Sequence, residues 1–192
     1  IDNFQVEQKK VLDFYLLFPV DSNYCSLSEA IRSWQFYDNG KLKTDYIYLD
    51  EVHQGYASAA NSLFPLLNEE IDSILHEILA TDPSLVGSIF LGTSITSIGY
   101  GANAAVASLL TNALSNKLQK TPRTSCYKAS QLYAFAFPGV LQEDRDYFHQ
   151  SYLRQYNFSL QNDSRVSFGS LLGYKQSSIS NNYFRTNLNN SK

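Results

Sequence analysis

The chain has 192 residues and a net charge of −3, with 15 lysines and arginines against 18 aspartates and glutamates. Apolar residues make up 44% of the sequence and aromatic residues 14%, so disorder along the whole chain is excluded. The basic residues form no excess that could neutralise phosphates, which argues against a nucleic-acid partner. The length predicts one domain, which we place at residues 1–175, followed by a Ser/Asn-rich tail at 176–192.

The first quarter of the chain is predicted to contain two helices and one strand. Apolar residues recur through residues 1–18, which predicts a helix that Pro19 ends. A second, shorter helix is predicted at 26–37, and Asp-Asn-Gly at 38–40 predicts a turn. Alternating side chains over 44–49 then predict a strand.

The clearest helical pattern lies at residues 57–80, where apolar residues from Leu67 to Leu79 recur every three to four positions. The following segment, 83–116, contains no charged residue and is long enough to cross a bilayer. Its many glycine, serine and threonine residues dilute that hydrophobicity. We therefore predict a buried strand at 86–92, a tight turn and a buried helix.

The last third of the chain continues the alternation of strands and helices. A buried strand is predicted at 132–137, an amphipathic helix at 143–156 and a further strand at 158–168. Such alternation is typical of a parallel sheet covered by helices. The sequence therefore predicts an α/β fold with three layers: a mainly parallel sheet and helices on both faces.

The start of the chain and its sequons indicate a secreted protein. The chain begins at Ile1 and contains no Met, so we expect a processed product or an excised segment. Three N-glycosylation sequons begin at Asn157, Asn162 and Asn189. We expect these three asparagines to be glycosylated.

The two cysteines, Cys25 and Cys126, lie too far apart in sequence to form a metal pair. In a secreted protein the default is a disulfide between them, which would constrain a long loop of the unfolded chain. Two buried free thiols and a bridge to another chain remain open as alternatives.

Two short segments stand in a distinctive order along the chain. Val-His-Gln-Gly-Tyr at 52–56 opens the long predicted helix, and Leu-Tyr-Ala-Phe-Ala-Phe-Pro-Gly-Val at 132–140 ends a buried strand. They resemble Val-His-x-Gly-Phe/Tyr and Leu-Tyr-Thr-Phe-Gly-x-Pro-Arg-Val of the fungal class 3 lipases, a branch of the α/β-hydrolase fold. Ser-Asn-Tyr-Cys at 22–25 is similar to a segment near the N-terminus of the filamentous-fungal members. The resemblance implies an α/β-hydrolase-like domain.

The family's nucleophile lies in Gly-x-Ser-x-Gly, on a sharp turn between a strand and a helix, called the elbow. Two placements of this motif fit the chain. Gly-Thr-Ser-Ile-Thr at 92–96 has the expected spacing and makes Ser94 the nucleophile. The run of small residues at 99–107 matches more residue types, puts Gly101 in place of the serine and removes covalent catalysis. We favour the second placement.

Two other parts of the family's catalytic machinery are missing. No Phe-Arg-Gly-Ser/Thr stretch, which would supply oxyanion donors, lies between Cys25 and Val52. Asp163, in Asn-Asp-Ser-Arg-Val, resembles the acid of the triad, but no histidine follows it. Without an imidazole base a serine hydroxyl is a poor nucleophile.

The three histidines point to structural or surface roles. His53 is predicted to be a hydrogen-bonded residue at a strand end, and His76 lies on the polar side of its helix. His149 has Asp146 three residues before it, which is typical of a surface ion pair. No two histidines have the spacing of a zinc helix, so we expect neither a metal nor a cofactor.

These observations predict a secreted, catalytically degenerate lipase-like protein that acts as an interaction or toxin subunit. A yeast killer toxin chain fits this profile, with a second processed chain of the same precursor as partner and a cell wall or membrane as target. The alternative is a carboxylic ester hydrolase that uses Ser94 and Asp163 and takes its histidine from another chain. A third hypothesis is direct membrane action by residues 83–116.

Overall fold

A computed structural model gives the fold of the protein. It describes residues 12–19, 39–83, 93–120, 130–140, 153–160, 166, 173–174 and 180–184. The elements are, in chain order, β1 (Leu12–Phe18), β2 (Asn39–Lys43), β3 (Tyr48–His53), α1 (Gln54–Thr81), β4 (Thr93–Tyr100), α2 (Ala102–Lys120), β5 (Ser130–Phe135), β6 (Leu153–Leu160) and β7 (Ser180–Phe184).

Five of the strands form one sheet in the order β1-β4-β5-β6-β7, and every neighbouring pair in it is parallel. The other two strands, β2 and β3, form an antiparallel hairpin. The Thr44 hydroxyl closes the hairpin by accepting the backbone N–H groups of Tyr46 and Ile47, at 3.2 and 3.1 Å. The predicted α/β fold with a mainly parallel sheet is therefore confirmed.

Helix α2 packs directly on one face of the sheet, and α1 packs on α2 and on the hairpin. Alternation along β4 directs Ile95, Ser97 and Gly99 toward α2, where they are buried. The Thr111 hydroxyl of α2 donates to Ser97 Oγ at 2.6 Å, which fixes the helix over this strand. Among the described elements the layers are therefore the sheet, then α2, then α1 with the hairpin.

The composition of α2 explains its central position. Nearly all of its side chains are buried, and its small alanines and serines allow close approach on every side. Its buried Lys117 pairs with Asp72 of α1 at 2.6 Å. Helix α1 instead buries one stripe at helical spacing, formed by Ala57, Ala60, Phe64 and Ile71.

Several predicted elements are confirmed. The helix predicted at 57–80 is α1, and the strand predicted at 132–137 corresponds to β5. The described part of the uncharged segment 83–116 is Pro83, strand β4 and most of helix α2, and most of its apolar side chains lie in the core. Within the described ranges, no helix combines the length and the apolar character that crossing a bilayer requires.

The helix predicted at 1–18 is wrong for its described part, because residues 12–18 form β1. Its run of leucines and aromatics suits a strand as well as a helix, and pairing with β4 decides between them. The strand predicted at 44–49 is also displaced. Residues 44–47 form the hairpin turn, and the predicted turn at 38–40 overlaps the start of β2.

The remaining differences lie in the second half of the chain. The strand that precedes α2 is β4, whereas the predicted strand at 86–92 lies outside the described residues. The helix predicted at 143–156 cannot extend to its predicted end, because β6 begins at Leu153. Alternating burial along β6, from Leu153 to Leu160, shows the period of two of a strand. Within the predicted tail, residues 180–184 form β7, which pairs with β6.

Candidate functional site

The turn between β4 and α2 has the shape of an elbow, and Gly101 occupies it. Its φ of 56° lies in the left-handed region, where glycine carries no steric cost from a Cβ atom. The Gly101 N–H donates to the carbonyl of Phe135 at 2.8 Å, and its own carbonyl accepts the N–H of Ala104 at 3.0 Å. The elbow is thus held from both sides by the backbone and presents no side chain.

A second glycine brings the helix close to the strand. A Cβ atom on Gly99 would lie 2.7 Å from Cα of Ala104 and 2.9 Å from its nitrogen. Both of these atoms belong to the backbone of α2 and cannot rotate away. The run of small residues that matches the lipase motif therefore allows the tight passage from β4 into α2.

Ser94 lies at the opposite end of β4, in its second position. The residue is 4% exposed, and its hydroxyl donates to the Asp13 carboxylate on β1. Six residues of extended strand lie between Ser94 and Gly101, which corresponds to about 23 Å along the chain. The two candidates for the nucleophile position therefore belong to two different places, and Ser94 is remote from the elbow.

The end of β1 lies beside the elbow. Asn103, in the first turn of α2, donates from Nδ2 to the Pro19 carbonyl at 2.5 Å. Proline has no backbone N–H, so this position supplies an acceptor and no donor. On the other side of β4, the Ala136 N–H donates to the Phe158 carbonyl at 2.8 Å, and Ala136 has a φ of 51°. The backbone at this edge of the sheet is therefore tightly constrained.

The two motifs that carry the lipase resemblance meet in the structure. The backbone N–H of His53, in the first motif, donates to the carbonyl of Val140, in the second, at 3.0 Å. The His53 ring is buried and stacks on Tyr56 with centroids 4.1 Å apart, and Tyr174 lies 5.2 Å away in a tilted arrangement. This histidine therefore packs within an aromatic cluster at the start of α1.

The other histidines and acidic residues assemble no metal site in the described part of the chain, where no group of three potential ligands is found. His76 is exposed on α1, as predicted for a surface residue. His149 lies outside the described residues. So do Asp163, Cys25 and Cys126, so the predicted triad acid and the predicted disulfide stay predictions.

The sequon at Asn157 lies in β6 on the face covered by α2. The side chain is 4% exposed, and its Oδ1 accepts a hydrogen bond from Gln155 Nε2 at 2.8 Å. A glycan on this nitrogen does not fit the folded sheet, because the side chain lies in the core. The sequons at Asn162 and Asn189 lie outside the described residues, and their glycosylation stays a prediction.

Sequence reasoning missed Asp13, the partner of Ser94. The sequence predicts a helix over this segment, and a helix gives no reason to expect Asp13 beside Ser94, which lies 81 positions further along the chain. Only the alternation within Leu-Asp-Phe-Tyr-Leu could have indicated a strand with Asp13 on one face.

The chain was compared with known proteins at the level of sequence. No protein-family model matches it, and no curated protein matches it. The lipase resemblance therefore rests on the motifs and on the residues that the fold brings together.

Proposed function

We propose that this chain is a catalytically degenerate, lipase-like protein that serves as an interaction or toxin subunit. In this proposal it is secreted and acts beside a second processed chain of the same precursor, as a yeast killer toxin chain would. Its target would be a cell wall or a membrane.

The observation that carries the proposal is Gly101 at the elbow. In an α/β hydrolase this turn exposes the nucleophile's hydroxyl above the carboxyl edge of the sheet. Glycine offers no hydroxyl, so no acyl-enzyme can form there. The elbow has the left-handed backbone of such a turn, and its central residue carries no reactive group.

The neighbouring strand supports the same proposal. An oxyanion hole needs preorganised donors aimed at the developing charge, and loss of one donor costs about 10²–10³ in rate. Pro19, which follows β1 and contacts Asn103, has no N–H to offer. The Asn103 amide nitrogen is already engaged with the Pro19 carbonyl.

The alternative function, ester hydrolysis through Ser94, has one favourable observation. The Ser94 hydroxyl is bonded to a carboxylate, that of Asp13. Yet a carboxylate is a weaker base than imidazole for this purpose, and the hydroxyl is nearly inaccessible. A histidine from another chain would have to reach a buried group at the amino end of β4.

Labelling with a fluorophosphonate probe tests the proposal. We expect no covalent adduct on the intact protein, with or without its partner chain, when the products are analysed by peptide mass spectrometry. An adduct on Ser94 that Ser94→Ala abolishes would overturn the proposal in favour of the esterase.

Intact-mass analysis and a growth assay test the role as a subunit. We expect the natural secreted product to show, under non-reducing conditions, an intact mass above the 21.7 kDa of this chain, because a second chain is attached or associated. Addition of the purified product to susceptible yeast should arrest growth. A single chain of 192 residues without any effect on cells would contradict this part of the proposal.

A further inference from the structure

The face of the sheet opposite α2 carries a large apolar surface. Both described crossovers, α1 with the hairpin and α2, lie on the other side of the sheet. On the opposite face Tyr15 and Leu17 of β1 are 68% and 69% exposed. We call this surface the open face. Its other large exposed side chains are Ile98, Phe135 and Leu160.

The strand register arranges the open face in rows. One row holds Leu17, Ile98, Tyr133 and Tyr156, and the next holds Tyr100, Phe135 and Phe158. The rings within these rows stack across strands. The centroids of Tyr133 and Tyr156 are 5.4 Å apart, and those of Phe135 and Phe158 are 5.1 Å apart. The two rows together form a continuous aromatic and aliphatic platform.

Within the described strands, the charged side chains of the open face lie at the amino end. Asp13 lies on β1 at the edge of the sheet, and Arg154 lies three strands away on β6. Both side chains are exposed. The register places Arg154 in the same row as Tyr15, one row beyond Asp13. Among the described residues, the open face therefore carries one negative and one positive group, on β1 and β6, at the amino end of the apolar platform.

We propose that the open face binds the open face of a second copy of this chain. A two-fold axis parallel to the strands, between β4 and β5, places β1 of one copy over β6 of the other. Tyr15 of each copy then lies over Arg154 of its partner, with Asp13 one row away from that arginine, and the apolar rows lie over each other. The surface is complementary to itself in both charge and hydrophobicity, as an isologous interface requires.

The size of the open face is compatible with binding of a second copy of this chain. The axis superposes four strands of each copy, β1, β4, β5 and β6. Strands are about 4.8 Å apart and rise about 3.3 Å per residue, so the overlap is roughly 450 Å² per partner in projection, or about 900 Å² in total, close to the lower end of specific interfaces. Two sheets stacked in this way are typical of β-sandwich packing, with the strands nearly aligned.

This inference does not depend on the proposed function, because it rests on the sheet face and not on the elbow. Sedimentation velocity of the full chain tests it. We expect a dimer at about 10 μM, and we expect Leu17→Glu to raise the dissociation constant at least about 100-fold, since the charge is placed within the apolar platform. Leu66→Glu is the matched control: Leu66 is 63% exposed on α1, and the control should stay within about threefold.

A charge exchange tests the orientation of the two copies. Asp13→Arg and Arg154→Asp should each raise the dissociation constant about tenfold, and the double variant should return within about threefold of the original. Asp13→Arg also removes the hydrogen bond between Asp13 and Ser94 within one copy. Ser94→Ala removes that bond alone and therefore serves as the control. Circular dichroism verifies that each variant is folded.

Four outcomes would overturn the proposal. A monomer at 100 μM would mean that no second copy binds, and a dimer unaffected by Leu17→Glu would mean that another surface carries it. A monomer that binds phosphatidylcholine vesicles through Leu17 would assign the open face to a lipid surface instead. Failure of the charge exchange to restore dimerisation would exclude the proposed axis.

Discussion

The two ends of β4 are built on different principles. At the carboxyl end, Gly99 and Gly101 let the chain turn into α2 with backbone against backbone and no side chain between them. At the amino end, Ser94 uses its side chain to join β4 to Asp13 of the neighbouring strand. The comparison teaches that the two residues offered by the sequence as the nucleophile position lie at opposite ends of one strand. The serine lies where a hydroxyl has structural value, and the elbow lacks one.

The largest effect is expected from Gly99→Val, which places a branched side chain against the backbone of α2. The free energy of unfolding should fall by about 3 kcal/mol or more, because a Cβ atom there would lie 2.7 Å from Cα of Ala104. Urea denaturation followed by circular dichroism measures it. Ile98→Val, at a 39% exposed site on the same strand, is the control and should cost less than about 1 kcal/mol. Equal losses in the two variants would show that α2 does not press on β4.

A smaller effect is expected from Gly101→Ala, which tests the elbow itself. The left-handed φ of 56° should cost about 1–2 kcal/mol of unfolding free energy once a Cβ atom is present. Gly101→Asn is the informative comparison, because asparagine tolerates this region and should recover part of that loss. If alanine and asparagine are both neutral, the turn is not held in this conformation.

The smallest effect is expected at the amino end, from Ser94→Ala. Loss of the hydrogen bond to Asp13 should lower the free energy of unfolding by about 1 kcal/mol, because the exposed carboxylate can exchange its lost partner for water. Asp13→Asn should have a similar or smaller effect, since an amide oxygen still accepts the bond. A loss larger than that of Gly99→Val would reverse the comparison between the two ends.

The sequence predicted those parts of the fold that depend on local patterns. Helix α1 was predicted from apolar residues that recur every three to four positions, a period that does not match the alternation of a strand. Strand β5 was predicted from a short apolar run that Pro138 and Gly139 end. The prediction failed at β1, where a short apolar run suits either structure, and at the start of β6, where mixed polar and apolar residues also suit the end of an amphipathic helix. In both places pairing with a distant strand determines the secondary structure. Such pairing cannot be detected in a short stretch of sequence.

The candidate site, too, was only partly predictable from the sequence. The sequence offered Ser94 and Gly101 as alternatives, because both lie near glycines after an apolar segment. Which of them occupies the strand-to-helix turn depends on where β4 begins, and β4 begins at Thr93. Asp13 could not be found at all, because a carboxylate 81 residues before its partner carries no signal until the two strands are neighbours.

By itself the sequence determined the α/β class and the long helix α1, because the period of the apolar residues and the order of the predicted elements are sufficient for these. The tertiary structure alone decided that β1 is a strand, that Gly101 forms the elbow and that Ser94 is buried against Asp13. It alone decided which apolar side chains form the open face. The physical reason is that a parallel sheet is assembled from strands remote in sequence, so the neighbours that give each residue its role are fixed by pairing and not by the chain.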